Sequence, residues 1–470
     1  MRVAIAVIAL ALVTAPLHGQ QRSLGAGVLP FVTVNAPVVA LTHVQLVDGT
    51  GAPARPDQTV ILVGPSIQAV GPSATMAIPP GAQVMDLTNH TLLPGQVGLH
   101  EHTYFGGVKQ LTEMSVSGPH LYLAYGVTTA MTAGSQLPYH ELNLKRAVDA
   151  GKLPGPTFLI SGPYLNGGPP RNAMSRNVET PDDVRRVIAY WASEGATWFK
   201  FLGAVSREVL RAGIEEAHAR GLKVTGHLCS VTFTEAAALG IDALQHGFIT
   251  NSDYVAGKRP DECPAGNMRM QADVDVNSPA VQASIRSIVA SKAAAVSTLG
   301  VYETFMPERA RLDPRALEML APETRKEVEA NHAGLADGGL IVAPRLLEKM
   351  MAWERAFVAA GGLLGAGSDP WGTGFLPGIG NLRNYELLVE AGFSAEQAVQ
   401  IMTLNGARIV GLDHRLGSIT PGKAADLMIV RGDPIKTPAD IYNVVTVFKD
   451  GVGYDSERLR QAAKGRVGID

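Results

Sequence analysis

Between Pro94 and Leu412 the sequence alternates short apolar runs with amphipathic helical patterns, and no other feature restricts the fold as strongly. The runs are QVGLHEH, GVTTAMTAG, PTFLISGPYL, ATWFKFLG, LKVTGHL, DALQHG, a weaker one near AAAVSTLGVYETF, and GGLLGAGSD. Repeated strand–helix alternation produces a parallel sheet, and eight such units predict an α/β fold closed as a (β/α)8 TIM barrel rather than an open sheet. Some helix starts are equally legible. Thr180-Pro181-Asp182-Asp183 supplies a cap residue, a proline at the first helical position and carboxylates in the first turn; Ser206 and Ser394 open two further helices.

The flanks have a different texture. VVALTHVQLVDG, QTVILVG and AQVMDL precede the alternating region, and GKAADLMIVRGDP and NVVTVFKDG follow it, each strand-like and bounded by Gly or Pro. They predict a small β-sandwich domain built from both ends of the mature chain, residues 38–93 with 413–455, around the barrel over 94–412. With 470 residues, 46% hydrophobic and 18% charged, the chain can bury a core of that size. A formal charge of −3 without any basic stripe argues against nucleic acid as a partner.

Met1-Arg2, the apolar run Val3 to Val13 and the break at Pro16, Gly19 and Gln20 predict a signal peptide over residues 1–20. That run is too short to span a bilayer, and no later stretch of about eighteen apolar residues follows, so no membrane span is expected after signal removal. The expected location is secreted or periplasmic. Of the two cysteines, Cys229 lies two residues after His227; a disulfide to Cys263 and a free thiol beside the site both fit.

Chemistry enters through the placement of histidines. His100 and His102 flank Glu101 at the end of the first run, and residues two apart on a strand point the same way, so the histidines share a face and Glu101 faces out. Imidazole is a favoured ligand of zinc and its neighbours, but a lone His-x-His pair is a weak signal. His227, His246 and Asp369 close the fifth, sixth and eighth runs. The C-terminal strand ends of such a barrel converge on one mouth, which would bring all five together. Lys200 stands inside the apolar Trp198-Phe199-Lys200-Phe201-Leu202. Burial lowers the pKa of a lysine, and the neutral amine can take up carbon dioxide to become an anionic, metal-bridging carbamate. A lysine reaching solvent or pairing with a carboxylate is the plainer alternative.

Leu93-Pro94-Gly95, His100-Glu101-His102, Lys200, His227, His246-Gly247 and Ser368-Asp369 together resemble the amidohydrolase superfamily. The segment Gly417-Ser418-Ile419, Pro421 to Leu427 and Gly432-Asp433-Pro434 is similar to that family's C-terminal sheet. The likeness is strongest to the imidazolonepropionase-like and prolidase-like branch. It implies a metal-dependent hydrolase cutting an amide C–N bond of a dipeptide, an N-acyl amino acid or a related small molecule. It also implies two divalent ions, zinc being expected, with His100, His102 and Asp369 on the first, His227 and His246 on the second, and carbamylated Lys200 between. Asp369 would take the proton from a metal-bridging hydroxide and pass it to the leaving nitrogen. Homo-oligomers are common among such relatives.

Three positions depart from the family pattern. Gly98 stands where many relatives carry Asp, Thr132 replaces an acid after the second strand, and Gln245 replaces a Glu before the sixth-strand histidine. None is an implied ligand, so the departures bear on substrate and on support around the metals. Tyr104, His140, Tyr164, Arg171, Tyr254 and Tyr302 fall on or near loops after the strands and are the candidate substrate contacts. The segment Asn251 to Pro279 is a lid or a surface excursion. Two other functions share these residues: hydrolysis of a cyclic amide or lactone, and a catalytically inactive metal- or ligand-binding barrel.

Overall fold

A computed structural model describes residues 24–168, 175–266, 271–335 and 344–470. The expected signal peptide over 1–20 and Arg171 lie outside the described residues. Eight strands correspond to the eight runs: β1 Gln96–Glu101, β2 Val127–Thr132, β3 Thr157–Leu159, β4 Trp198–Phe201, β5 Lys223–Gly226, β6 Ala243–Gln245, β7 Ala294–Ser297 and β8 Leu364–Ala366. All pair in parallel. Burial on both faces explains why most of these runs read as continuous apolar stretches.

The ladder does not run unbroken around all eight strands. β1, β2 and β3 form one parallel sheet; β4 to β8 belong to a second, with the short strands Leu165–Asn166 and Arg176–Asn177 at its edge. Backbone bonds cross both gaps. Thr197 N donates to Ile160 O and Gly162 N to Trp198 O between β3 and β4, and Asp369 N donates to His100 O at 2.8 Å beyond β8. That last approach needs Gly367, where a Cβ would strike the His100 backbone.

Two expected strands differ. PTFLISGPYL is not one strand: it stops at Leu159 and resumes at Leu165–Asn166. Gly162 and Pro163 sit in the break, and proline has no N–H to give a ladder. The weak seventh run is strand only to Ser297, then turns into a helix over Leu299–Glu303.

The helices start where the caps said they would. Thr180 and Asp183 form a capping box at α1 Pro181–Glu194, Ser206 accepts from Val209 N at α2 Arg207–Ala219, and Ser394 pairs reciprocally with Gln397 at the head of Ala395–Gln400. Each cap satisfies N–H groups that the first turn leaves open, worth about 1 kcal/mol. Two more helices matter to the site: α3 Pro344–Ala359 and, after it, α4 Ile379–Glu390. Among the described residues no helix is long and apolar enough to cross a membrane.

Strands from both chain ends share one nine-stranded mixed sheet. Leu427–Arg431 pairs antiparallel with His90–Pro94, from Leu427 opposite Pro94 to Arg431 opposite His90. Val34, on one edge strand, and Ile67, on the other, belong to one buried core with Leu92, Ile429 and Phe448. His90–Pro94 then runs directly into β1, so this sheet fixes the strand that carries the first two histidines.

Candidate metal centre

His100, His102, Lys200, His227, His246 and Asp369 lie at or just past the C-terminal ends of β1, β4, β5, β6 and β8, and they meet. Lys200 Nζ is 2.9 Å from His100 Nε2. Asp369 Oδ1 is 3.2 Å from His102 Nε2 and 3.6 Å from His100 Nε2, while its Oδ2 is 3.8 Å from His246 Nδ1. The His246 ring is centred 4.5 Å from the rings of both His100 and His227. His100, His102 and Asp369 each offer a ligand atom within 4.8 Å of the others.

Two of the six sit on left-handed backbone, His246 at φ 67° and Asp369 at φ 53°. Non-glycine residues adopt that region at a cost of about 1–3 kcal/mol, and such strain concentrates where a side chain must be aimed. Thr298 Oγ1, 2.8 Å from His246 Nδ1, helps hold the aim.

Electrostatics favour metal-ready forms. Burial holds the pKa values of His100, His102 and His246 down, so the imidazoles are neutral and carry lone pairs. Burial likewise lowers the Lys200 amine to about 8. Burial alone would raise Asp369, but His100, His102 and His246 around it more than offset that and keep it ionised.

The neighbours explain which imidazole nitrogen is available. His100 Nδ1 is 2.7 Å from Gln245 Oε1. Gln245 Nε2 is spent on Thr225 Oγ1 at 2.7 Å and Leu99 O at 3.4 Å, which assigns its amide oxygen to His100. His100 therefore donates from Nδ1, and Nε2 presents its lone pair to Lys200 and the cluster. Glu101 does turn away from the histidines, but into protein rather than toward solvent. It accepts from Asn381 Nδ2 at 2.7 Å, on α4, and from Ser368, the residue before Asp369. Its carboxylate fills the space beside Gly98 that a side chain there would occupy, and burial pushes it up to about 7.

The candidate substrate contacts divide. The Tyr104 ring stacks on His102 with centroids 4.7 Å apart, and its hydroxyl meets that of Tyr164 at 2.6 Å. The Tyr164 ring lies 5.4 Å from Lys200 Nζ, and Tyr302 is set edge-on to His246 at 5.4 Å. These three line the cluster. His140 instead faces Ser115 and Glu113, and Tyr254 bonds Ser284 and Trp353 in the surrounding layer. Thr132 keeps its hydroxyl for the Ser161 backbone. Cys229 and Cys263 are joined as a disulfide, tying the turn after His227 to the 251–279 segment. Sequence reasoning missed Thr298 and Asn381; nothing marks one Thr or Asn in a helix or turn until the fold brings Thr298 to His246 and Asn381 to Glu101.

The chain is similar to known proteins over parts of its sequence and over most of its fold. A family model described as "Amidohydrolase family" matches residues 355–453. An imidazolonepropionase of Clostridium tetani (strain Massachusetts / E88) is 33% identical over 115 residues, covering 22% of this chain and 26% of that protein. The curated relatives matched are covered over only 7 to 26% of their own length. Among solved structures, a Xaa-Pro dipeptidase with bound methionine in its active site aligns over 89% of this chain and 100% of its own, with TM-score 0.66 and 18% identity. A bottromycin amidohydrolase aligns over 97% and 96%, with TM-score 0.70 and 18% identity. At those identities the structures speak for the fold.

Proposed function

We propose that the chain, whose residues 355–453 match the amidohydrolase family, is a member of that superfamily and a metal-dependent hydrolase cutting an amide C–N bond of a small molecule such as a dipeptide or N-acyl amino acid. The observation that supports this most is the convergence of six donor side chains from five strand ends on one buried point. The donor set suits transition-series cations: neutral imidazoles, an ionised carboxylate and an amine weakened as a base.

His100, His102 and Asp369 would hold one ion, His227 and His246 the other, with Lys200 between them as a carbamate. The neutral Lys200 amine would add to carbon dioxide and lose one proton, which leaves an anion where an ammonium ion would otherwise be buried. When bound, two such ions lower the pKa of a water and polarise a carbonyl. Asp369 takes the proton from the attacking water and delivers it to the leaving nitrogen, which departs as an amine. Tyr104, Tyr164 and Tyr302 wall the reacting bond, and the Tyr104–Tyr164 hydroxyl pair offers it hydrogen bonds.

The same proposal takes the two parallel sheets as one (β/α)8 barrel over 94–412, in keeping with the backbone bonds across both gaps. It takes the sheet of 38–93 and 413–455 as a β-sandwich. The Cys229–Cys263 disulfide supports a place outside the cytoplasm.

The test is a hydrolysis screen of dipeptides, N-acyl amino acids and lactones, with zinc and bicarbonate supplied. Amide turnover is expected, and Asp369→Asn should reduce it about 10²–10⁴-fold while bound metal is retained. Metal-loaded protein inactive on every class would mark a binding barrel. Turnover of lactones alone would move the bond from C–N to C–O.

A further inference from the structure

Around Tyr104, several buried carboxyl and hydroxyl oxygens face one another with no cation among them. Glu113 lies opposite Tyr104 in a two-stranded pairing, and Thr103 Oγ1 is 3.3 Å from Glu113 Oε2. Glu141, in the helix Pro138–Asp149, faces Glu113 and the hydroxyls of Thr103, Thr132 and Ser135. Even so, no hydrogen bond of regular geometry reaches Glu113 Oε1, either carboxyl oxygen of Glu141, Ser135 Oγ or Gln136 Oε1. Glu141 and Ser135 are 0% exposed and Gln136 is 8% exposed.

Such a group is costly as it stands. Each buried acceptor without a partner costs about 1–3 kcal/mol, more when charged. The ion pairs of the described residues give Glu113 only His140, at 3.8 Å, and give Glu141 none. Burial pushes Glu113 up to about 7, and burial with Glu113 as neighbour pushes Glu141 to about 8. What these atoms lack is a compact positive charge that accepts many oxygens.

We propose that Glu113, Glu141, Ser135 and Thr103 form a structural site for one hard divalent cation of calcium's kind, separate from the histidine cluster. Two carboxylates balance its charge, and an all-oxygen donor set of carboxylates and hydroxyls is what such ions take, whereas zinc prefers imidazole and thiolate. Its consequence is positional. The cation joins the strand Tyr104–Phe105, through the preceding Thr103, to the head of the 138–149 helix, and so braces Tyr104 against Tyr164 and His102. The inference does not depend on what the histidine cluster catalyses.

The experiment uses the full chain, stripped with chelator, reloaded with zinc and then titrated with calcium chloride. Metals are counted by elemental analysis and stability is read as the thermal midpoint. One calcium per chain beyond the zinc is expected, with a midpoint raised by about 3 °C at a hundredfold excess over the dissociation constant. Glu141→Gln should abolish calcium retention and the shift without changing zinc content; Glu113→Gln serves the same purpose if that variant does not fold. Folded, zinc-loaded wild type that retains no calcium overturns the proposal. So does calcium that zinc displaces mole for mole, or calcium kept equally by the folded variants.

Discussion

Lys200 Nζ and His100 Nε2 stand 2.9 Å apart with both side chains buried, a distance two cations could not share. Because His100 Nδ1 is committed to Gln245, Nε2 accepts and Lys200 donates. The lysine is therefore held at the cluster by a partner that is itself a candidate ligand. Lys200→Ala should drop bound zinc from about two ions per chain to one or fewer and reduce kcat/KM by about 10²–10³-fold, on the scale of losing a preorganised electrostatic group. Metal counting beside kinetics, with circular dichroism to show the fold is kept, checks this. Two zinc ions retained by the variant would remove Lys200 from the centre.

Gln245 would act on the proposed metals only through His100. Its amide oxygen fixes the imidazole tautomer, and its amide N–H groups are anchored by Thr225 and Leu99. Gln245→Leu keeps the bulk and removes the acceptor, so zinc affinity should fall about 10–100-fold, as for other partners of metal-binding histidines. Gln245→Glu restores an acceptor and should recover most of that affinity. Titration against a competing chelator measures both. Equal affinity in wild type and Gln245→Leu would show that the tautomer is set elsewhere.

Much of this site was legible because its residues obey strand geometry. The two-residue spacing of His100 and His102, the closing positions of His227, His246 and Asp369, and a lysine inside the apolar run at Lys200 are properties of order along the chain. Helix starts at Thr180, Ser206 and Ser394 were legible for a similarly local reason, since a cap bonds within three residues. What could not be read depends on distant pairs. Glu101 meets Asn381 across 280 positions, and His246 meets Thr298 across 52. His140 and Tyr254 looked equivalent to Tyr104 and Tyr302 as residues near strand ends, but their helical and loop geometry aims them at other neighbours.

Glu354, on α3, is buried with neither carboxyl oxygen in a regular hydrogen bond, and burial pushes it up to about 8. The folded state thus holds a proton that the unfolded chain releases near the ordinary glutamate value of 4.5. Between those values the native state binds more protons than the unfolded state, so stability falls as pH rises from about 4.5 to about 8 and levels off above. Glu354→Gln removes the ionisable group and keeps the shape. It should leave stability near pH 5 almost unchanged and raise it by about 1–3 kcal/mol at pH 9. Urea unfolding at the two pH values decides; a variant destabilised equally at both would mean that Glu354 is ionised and paired.

The disulfide gives the last prediction, because it joins a rigid part of the site to an irregular one. Cys229 follows His227 by two residues, while Cys263 lies in the 251–279 segment, 34 positions away. Closing a loop of that length restricts the unfolded chain by about 3–4 kcal/mol at 25 °C. Cys263→Ser should cost that much stability, and reduction of wild type with a phosphine should match it. The exposed serine at 263 adds no strain, so any further effect arises at Cys229, whose turn carries His227. If the tie also steadies that histidine, reduction should weaken zinc retention at the His227–His246 pair while the ion on His100, His102 and Asp369 stays. Retention of both ions after full reduction, with the stability loss present, would confine the disulfide to holding the chain together.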